Sequence, residues 1–489
     1  MSSPFRRRAL LTAALAASLS SCTVGPTFAP PNAATPAGWS DAAATAGAPG
    51  QVTVGPTDAA SWWTLFGDTE LNSLVERAAA ANLDAKAAVL RVTQARAQRD
   101  IAAADRGPNL TVNASGQVNR LSESTPTGAL FSKIGAFPGV KGVSIPNPYD
   151  QYQLGVSASW ELDLFGRVRR SVEAADADTQ AQVEDSRAVQ VAVLGDVGHA
   201  YFDLRGVQAE RGEVAATIAT EKDLLDLAAQ RRRAGLSSEI DVSRAAAELS
   251  GAEAGLPTLD AQIARDINAL SQLLALEPGA LRAELSAPAP PPTLPTAAPI
   301  GLPADLARRR PDIREAEARL HAATARVGVA VAGLYPEITL NAGGGYQAQD
   351  LSQLTRWASR FVNAGPELDL PVFDSGRRRA TLRLQDAAAK AAALDYQRTV
   401  LGALVEVDDD LATYGGDQAR LAALDQTVAR DREAAQLAGS RYASGVADDI
   451  TVLDTDRALQ QAEVSSAQGR AAVYADLVAV YRALGGGWR

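Results

Sequence analysis

Cysteine is nearly absent: Cys22 is the only one in 489 residues, so the chain cannot build an internal disulfide framework. Methionine stops at Met1 and histidine is limited to His199 and His321, which leaves little soft metal-ligand chemistry; neither a metal nor another cofactor is expected. Excess positive charge is missing too. The net charge is -10, whereas a nucleic-acid partner requires a basic footprint. Past residue 22 no stretch reaches the ~18 consecutive apolar residues of a membrane-spanning helix. Asp408-Asp409-Asp410 come nearest to paired carboxylates, but no histidine or nucleophile adjoins them, and on a long helix they face water or a lumen. Gly343-Gly344-Gly345 falls inside a strand pattern and so is no phosphate loop. His199 and His321 lie in helical stretches at no ligand spacing and read as structural. No enzyme activity is expected.

What is present begins with an export signal. Arg6, Arg7 and Arg8 form a basic start, Ala9 to Ser20 form a short, mostly apolar run, and Ser20 and Ser21 bring small residues up to Cys22. Residues 1–21 therefore read as a cleaved signal peptide and Cys22 as a lipobox cysteine that takes acyl chains, palmitate among them. Thr23 rather than Asp follows it, which favours the outer membrane. A chain bound there without an apolar helix either lies on the surface or crosses as strands. Residues 22–60, rich in Pro, Ala, Gly and Thr, read as a lipid-anchored, extended tether.

A second Pro-rich stretch, the linker 287–303, divides the remainder into 61–286 and 304–489, and these halves resemble each other. N-L-D-A (82–85) leads to Pro108 and L-T-V-N-A-S-G (110–116); R-P-D-I (310–313) leads to Pro336 and I-T-L-N-A-G-G (338–344), an offset of 228. W-E-L-D-L-F-G-R (160–167) answers P-E-L-D-L-P-V-F-D-S-G-R (366–377), and A-G-L (234–236) answers S-G-V (444–446). Matches in one order at several places indicate internal duplication.

Each half carries two kinds of segment. Between Arg377 and Tyr442 a seven-residue repeat runs through Val400, Val407, Tyr414, Leu421, Val428, Ala435 and Tyr442, a coiled-coil-like seam. The matching run from Arg167 to Arg233 reaches on the order of 100 Å as a helix. Four other segments, about 109–119, 151–164, 337–347 and 359–372, alternate apolar with polar residues. Leu154, Val156, Ala158, Trp160, Leu162 and Leu164 are separated by Gly155, Ser157, Ser159, Glu161 and Asp163. That period suits a strand with lipid on one side and a watery lumen on the other. Four strands cannot close a barrel, and an open edge in lipid leaves backbone groups unsatisfied. Two copies give eight strands around a filled bore; three give twelve and room for a pore.

C-T-V-G-P-T-F (22–28), W-W-T-L-F-G-D-T-E-L (62–71), W-E-L-D-L-F-G-R (160–167), R-R-P-D-I-R-E-A-E (309–317), L-P-V-F-D-S-G-R (370–377) and A-L-G-G-G-W (483–488) resemble motifs of the TolC/OprM-type outer-membrane factor family, in family order, and most closely its NodT-like lipoprotein branch serving RND efflux pumps. The resemblance implies an α+β membrane protein: a homotrimer with a 12-stranded β-barrel in the outer membrane, four strands per protomer, and a periplasmic α-helical tunnel. It implies a passive conduit for small molecules, associated with multidrug resistance, that docks a periplasmic adaptor and an inner-membrane RND transporter. A type I secretion channel of the same fold, or a periplasmic coiled-coil lipoprotein without a pore, are the alternatives. The chain departs from the family pattern at Thr69 (often Pro), Ala275 (often Gly) and Arg232, which stands at the position answering Tyr442.

By the same resemblance, R-Y-A-S-G-V-A-D-D-I-T-V-L-D-T-D-R (441–457) matches the family's periplasmic aperture: Ile450 as constricting apolar residue, Asp454 as acidic ring, Arg457 as its basic neighbour, and Tyr442 as a latch on the closed state. Spacing alone puts Ile450, Asp454 and Arg457 on one helix face, where a pairing of Asp454 with Arg457 is also expected; an ordinary solvated face gives the same spacing. R-P-D-I-R-E-A-E reads as a helix start, with Pro311 in the first turn and acidic residues at the positive end of the dipole.

Overall fold

The computed structural model describes residues 23–32, 35–40, 50–55, 59–126, 128–129, 147–289, 292, 294–446 and 449–488, so the signal segment and Cys22 lie outside the described residues. In chain order the elements are β1 (Gln51–Thr53), α1 (Thr69–Ala81), α2 (Leu83–Ala104), β2 (Asn109–Asn119), β3 (Tyr149–Glu161), α3 (Arg167–Arg233), α4 (Glu239–Leu273), β4 (Ala297–Pro299), α5 (Pro311–Ala332), β5 (Glu337–Ala348), β6 (Arg360–Asp369), α6 (Arg377–Ala443) and α7 (Asp449–Ala483), with 3-10 and single-turn helices between. Helix lengths come in equal pairs: α2 and α5 have 22 residues each, α3 and α6 have 67, and α4 and α7 have 35. Leu83 to Pro311 is a step of 228, whereas Arg167 to Arg377 and Glu239 to Asp449 are steps of 210. The difference of 18 is taken up between the strands, where the β2–β3 connection is the longer one.

One compact unit comprises the described residues within 1–29, 95–179 and 319–392, and its centre is an antiparallel sheet of order β2-β3-β5-β6. The register keeps the two faces chemically separate. Leu110–Ala158, Val112–Val156 and Ala114–Leu154 pair on one face, continued by Trp160–Leu340 and Ile338–Leu368. Asn109–Ser159, Thr111–Ser157, Ser159–Asn341 and Thr339–Glu367 pair on the other. Phe361 is the exception on the polar face: its ring lies over Gly155, where an added Cβ atom meets it at 3.2 Å. Glycine here leaves the sheet surface open for the ring.

Two strands end earlier than the alternation predicts. β3 stops at Glu161 rather than 164, because Asp163 turns to φ 47 and its carboxylate accepts the Val168 and Arg169 N–H groups at 2.9 Å each, capping α3. β6 stops at Asp369 rather than 372, just before Pro371, which has no N–H for a ladder. Asp374 then caps α6, accepting from Gly376 and Arg378 N–H, both at 3.0 Å. Gly166 (φ 83) and Gly376 (φ 85) supply the left-handed residue ahead of each helix.

The other unit, residues 30–94, 180–318 and 393–489, holds the apolar core. Trp62, Phe66, Phe202, Tyr474 and Tyr481 are its aromatic centre, with the Phe202 and Tyr474 rings stacked at 5.0 Å. Residues expected to form a free tether and a linker are partly built into this unit. β1 and β4 pair in parallel, and the Trp39 indole donates to Gly301 O at 3.1 Å. Buried Trp39, Ala298 and Ile300 explain why: these few apolar groups gain more by joining the core than by staying solvated. R-P-D-I does more than start α5. Arg310 bonds both oxygens of Asp312 (3.0 and 2.8 Å), Ala483 O (2.7 Å) and Glu406 (2.6 Å), tying the start of α5 to the end of α7 and the middle of α6. The closing motif docks beside it, with the Trp488 indole donating to Arg309 O at 3.0 Å and the Arg187 guanidinium 4.5 Å over its ring. Ala275, where family members often carry glycine, sits at φ 55, so this chain keeps a left-handed turn without that residue.

Candidate functional site

Two turns follow α3 and α6, at residues 234–238 and from 444 onward. Gly235 (φ 74) and Gly445 (φ 75) end α3 and α6 in the same way. Leu236 N–H bonds Arg231 O at 2.8 Å and Val446 N–H bonds Arg441 O at 2.9 Å, closing a Schellman turn on each helix. Ser238 then caps α4 through a reciprocal box with Asp241.

Side chains at the two turns differ. Tyr442 is buried in a small satellite core with Ala438 and Val452, against which Leu224 and Leu227 pack. The Arg231 guanidinium lies 4.2 Å over the Tyr442 ring and donates to Tyr442 O at 2.9 Å. A cation on that face gains about 0.5–2 kcal/mol. Arg232, the residue equivalent to Tyr442, pairs instead with Glu239 beside its own turn.

Ile450, Asp454 and Arg457 lie along α7 and are all exposed, while Tyr442 points into the satellite core, so the structure groups the first three and separates the fourth. The expected Asp454–Arg457 pairing is replaced: Arg457 forms its ion pair with Glu248 of α4, because that carboxylate faces it across the hairpins. On α3, burial, with Asp456 and Glu248 nearby, pushes the Glu221 carboxyl up to about 6, and burial raises Asp456 of α7 as well. Arg231, Glu248 and Glu221 were not singled out from the sequence. Arg457 and Glu248 are 209 positions apart, and no local pattern links them.

Other charged groups flagged by the sequence have structural partners. Asp408 accepts the Ser40 N–H at 3.0 Å, and burial with Glu406 nearby lifts Asp410 to about 6. Burial, then facing Asp417, lifts Asp476 to about 7. His321 lies 3.1 Å from Glu173 and stacks on Phe28 at 4.4 Å; His199 is 3.6 Å from Asp203. Among the described residues no cluster of His, Cys, Asp and Glu has metal-binding geometry.

The model of the family described as outer membrane efflux protein matches residues 74–276 and 302–486. Outer membrane protein OprJ of Pseudomonas aeruginosa is 33% identical over 475 residues, covering 97% of this chain and 95% of the relative. The toluene efflux pump outer membrane protein TtgI of Pseudomonas putida is also 33% identical over 475 residues, with 96% of each chain covered. The solved outer-membrane channel OprN superposes with a TM-score of 0.84 at 37% identity, covering 96% of this chain and 100% of that one.

Proposed function

The chain belongs to the outer membrane efflux protein family, and on that premise we propose that its working form is a trimeric, 12-stranded outer-membrane barrel continued by a helical tunnel in the periplasm. The protein is the outer-membrane channel component of an RND-type efflux system, and it works with a periplasmic adaptor and an inner-membrane transporter. It acts as a passive conduit for small molecules; energy comes from its partners, and no step of catalysis is assigned to it.

The observation that carries this reading is the sheet, with one apolar face, one polar face and, among the described residues, two open edges. On the apolar face, Tyr152 and Tyr346 stand at one end and Trp160 at the other. The eight steps from Tyr152 to Trp160 span about 26 Å along the strand at ~3.3 Å each, or about 20 Å of height at a barrel tilt of ~40°, so these aromatics stand near the two margins of the ~25 Å apolar band of outer-membrane barrels. The polar face lines a hollow that includes Asn109, Thr111, Asn113, Ser157 and Asn363, as a wall facing a water-filled lumen does.

Two finer assignments go with it. Cys22 is the acylated mature N-terminus behind a 1–21 signal, and residues 61–286 and 304–489 are the two repeats. At the periplasmic end, Ile450, Asp454 and Arg457 line the narrowest ring and Tyr442 holds it closed. Their exposure on α7 leaves them free to face an axis. Reconstitution into planar bilayers, with the unboiled protein run on a gel, tests the whole reading. A pore and a heat-modifiable trimer are expected; a silent bilayer with only monomer returns the chain to a periplasmic spacer.

A further inference from the structure

Arginines open both long helices, and the internal duplication sets them in correspondence. Arg167 and Arg169 begin α3; a step of 210 makes Arg377 and Arg379 their equivalents at the start of α6. In the first half each cation is neutralised. Arg167 pairs with Glu161, and the charges of Glu337 and Asp105 act on it as well. Arg169 pairs with Asp163 at 3.2 Å, and Arg170 with Glu173 at 2.7 Å. The second half keeps the cations and lacks the partners. Pro371 stands for Glu161, Phe373 for Asp163 and Arg383 for Glu173; by the step of 228, Asn109 stands for Glu337 and Gly333 for Asp105.

The imbalance is large. Residues 160–175 hold three arginines and three carboxylates, whereas residues 370–385 hold four arginines and one carboxylate, Asp374. That carboxylate is already engaged: it caps α6 and lies 3.7 Å from Arg378, whose guanidinium also donates to Gly333 O. Arg377, Arg379 and Arg383 are exposed, and their guanidinium groups make no hydrogen bond or ion pair among the described residues. Just ahead of them Leu370, Val372 and Phe373 are 55%, 87% and 88% exposed. Leu370 is the equivalent of Trp160, which stands near one margin of the apolar band, so these side chains and the arginines after them fall where that band ends. The first-half junction is also covered by other groups. Phe165 and Tyr335 stack at 4.7 Å, Val24 N–H reaches Phe165 O at 3.2 Å, and Arg170 donates to Val24 O at 3.3 Å. The equivalents of the two rings are Ser375 and Gly107, which have no ring to stack.

We propose that Arg377, Arg379 and Arg383 bind the phosphate groups of phospholipids in the membrane leaflet facing the periplasm, with Val372 and Phe373 against the adjoining acyl chains. This rests on the barrel reading above and deepens it to the lipid contact at its base. A guanidinium offers a planar fork of donors that matches two phosphate oxygens, and basic side chains at a membrane surface are drawn to anionic lipid. Exposed apolar groups directly beside cations match the level where hydrocarbon gives way to headgroups. That continuity with the apolar face favours a lipid over a soluble anion, because free phosphate gains nothing from Val372 and Phe373. The α3 junction, neutralised by its own carboxylates, lacks this attraction, so the two halves meet the membrane differently.

The test uses the full-length protein purified in detergent, with bound molecules counted by native mass spectrometry. Phosphatidylglycerol, phosphatidylethanolamine, a diacylglycerol without phosphate, and inorganic phosphate are added separately. The unsubstituted protein is expected to retain both phospholipids and to hold the other two poorly. Arg377→Gln with Arg379→Gln should weaken phosphatidylglycerol binding on the order of thirtyfold. Phe373→Asp, which supplies the carboxylate that Arg169 has in Asp163, should weaken it too with all four arginines in place. Arg398→Gln, at an exposed position further along α6, should leave it unchanged. Undiminished phospholipid binding by the double variant overturns the proposal. Diacylglycerol retained as well as phospholipid, or inorganic phosphate bound as tightly, overturns the assignment to a phosphate-bearing lipid. Asp100 is an exposed carboxylate that a second copy could offer instead. If Asp100→Asn and the double variant loosen the trimer equally while lipid binding holds, the arginines serve a contact between copies and the proposal falls. An unsubstituted chain that forms no trimer and enters no bilayer overturns the barrel reading first.

Discussion

The hairpin turn after α3 and the one after α6 have the same length, the same left-handed glycine and the same hydrogen bonds, yet they carry opposite chemistry. Where the second has Tyr442 packed in a satellite core, the first has Arg232 paired with Glu239. A step of 210 also sets Arg244 against Asp454, and Ile240 against Ile450. Both isoleucines are exposed, at 62% and 45%, so a trimer can present six apolar residues at its tip where the sequence reading anticipated three. Backbone geometry matches in the two turns; charge was free to diverge at Arg244 and Asp454, which face water, whereas Tyr442 differs from Arg232 by entering a small core.

Breaking the contact that joins the two turns is expected to have the largest effect. Arg231→Ala removes a cation–π contact and a charged hydrogen bond, together about 2 kcal/mol. The population of loosened tips, read as single-channel conductance in a planar bilayer, should rise about thirtyfold. Arg441→Ala, at the equivalent exposed position, should leave it nearly unchanged; equal effects from both variants refute the Arg231 latch.

Opposite charges at Asp454 and Arg244 predict opposite signs. In asymmetric salt, Asp454→Ala should reduce cation preference and block by divalent or trivalent cations, and Arg244→Ala should increase both. If neither variant moves the reversal potential, the constriction lies elsewhere and Asp454 is an ordinary solvated residue.

Asp266 and Asp476 occupy equivalent positions, and burial raises both carboxyls, Asp476 to about 7 with Asp417 facing it. Val207 stands where the other half has Asp417, so no carboxyl bonds to Asp266; Gln262 donates to it instead, and the Asp203 charge acts on it only as a smaller repulsion. A carboxyl raised on folding favours the folded state at low pH, and that advantage is lost as pH rises through its folded value. Thermal stability measured from pH 5 to 8 should therefore fall toward pH 8. Asp476→Asn should flatten the curve more than Asp266→Asn does; the reverse order refutes the difference between the halves.

Tyr442→Phe should change least. It keeps the ring beneath Arg231 and the main-chain acceptor, so conductance should shift by under about twofold, corresponding to less than about 0.5 kcal/mol. A shift as large as that of Arg231→Ala would locate the latch in the hydroxyl group.

Much of the architecture was legible because it is periodic. Heptad spacing and the scarcity of Gly and Pro marked α3 and α6, and alternation marked β2, β3, β5 and β6, whose ends were misjudged by a few residues where Asp163 and Pro371 intervene. The candidate site was legible only on α7, where Ile450, Asp454 and Arg457 share a face through local spacing. Arg231 against Tyr442, and Glu248 against Arg457, join residues about 210 positions apart and leave no local trace.

By itself the sequence determined the two longest helices and the four alternating strands, which strand face is apolar, and that the halves resemble each other, because each follows from period and order along the chain. Tertiary structure alone decided that Trp39, β1 and the Pro-rich 297–299 segment join the core and that Arg310 ties the start of α5 to the end of α7 and the middle of α6. It also decided that Arg457 turns to Glu248 rather than Asp454. Those choices depend on which groups of distant segments meet in space, where a carboxylate facing an arginine from another helix can displace one nearby on its own.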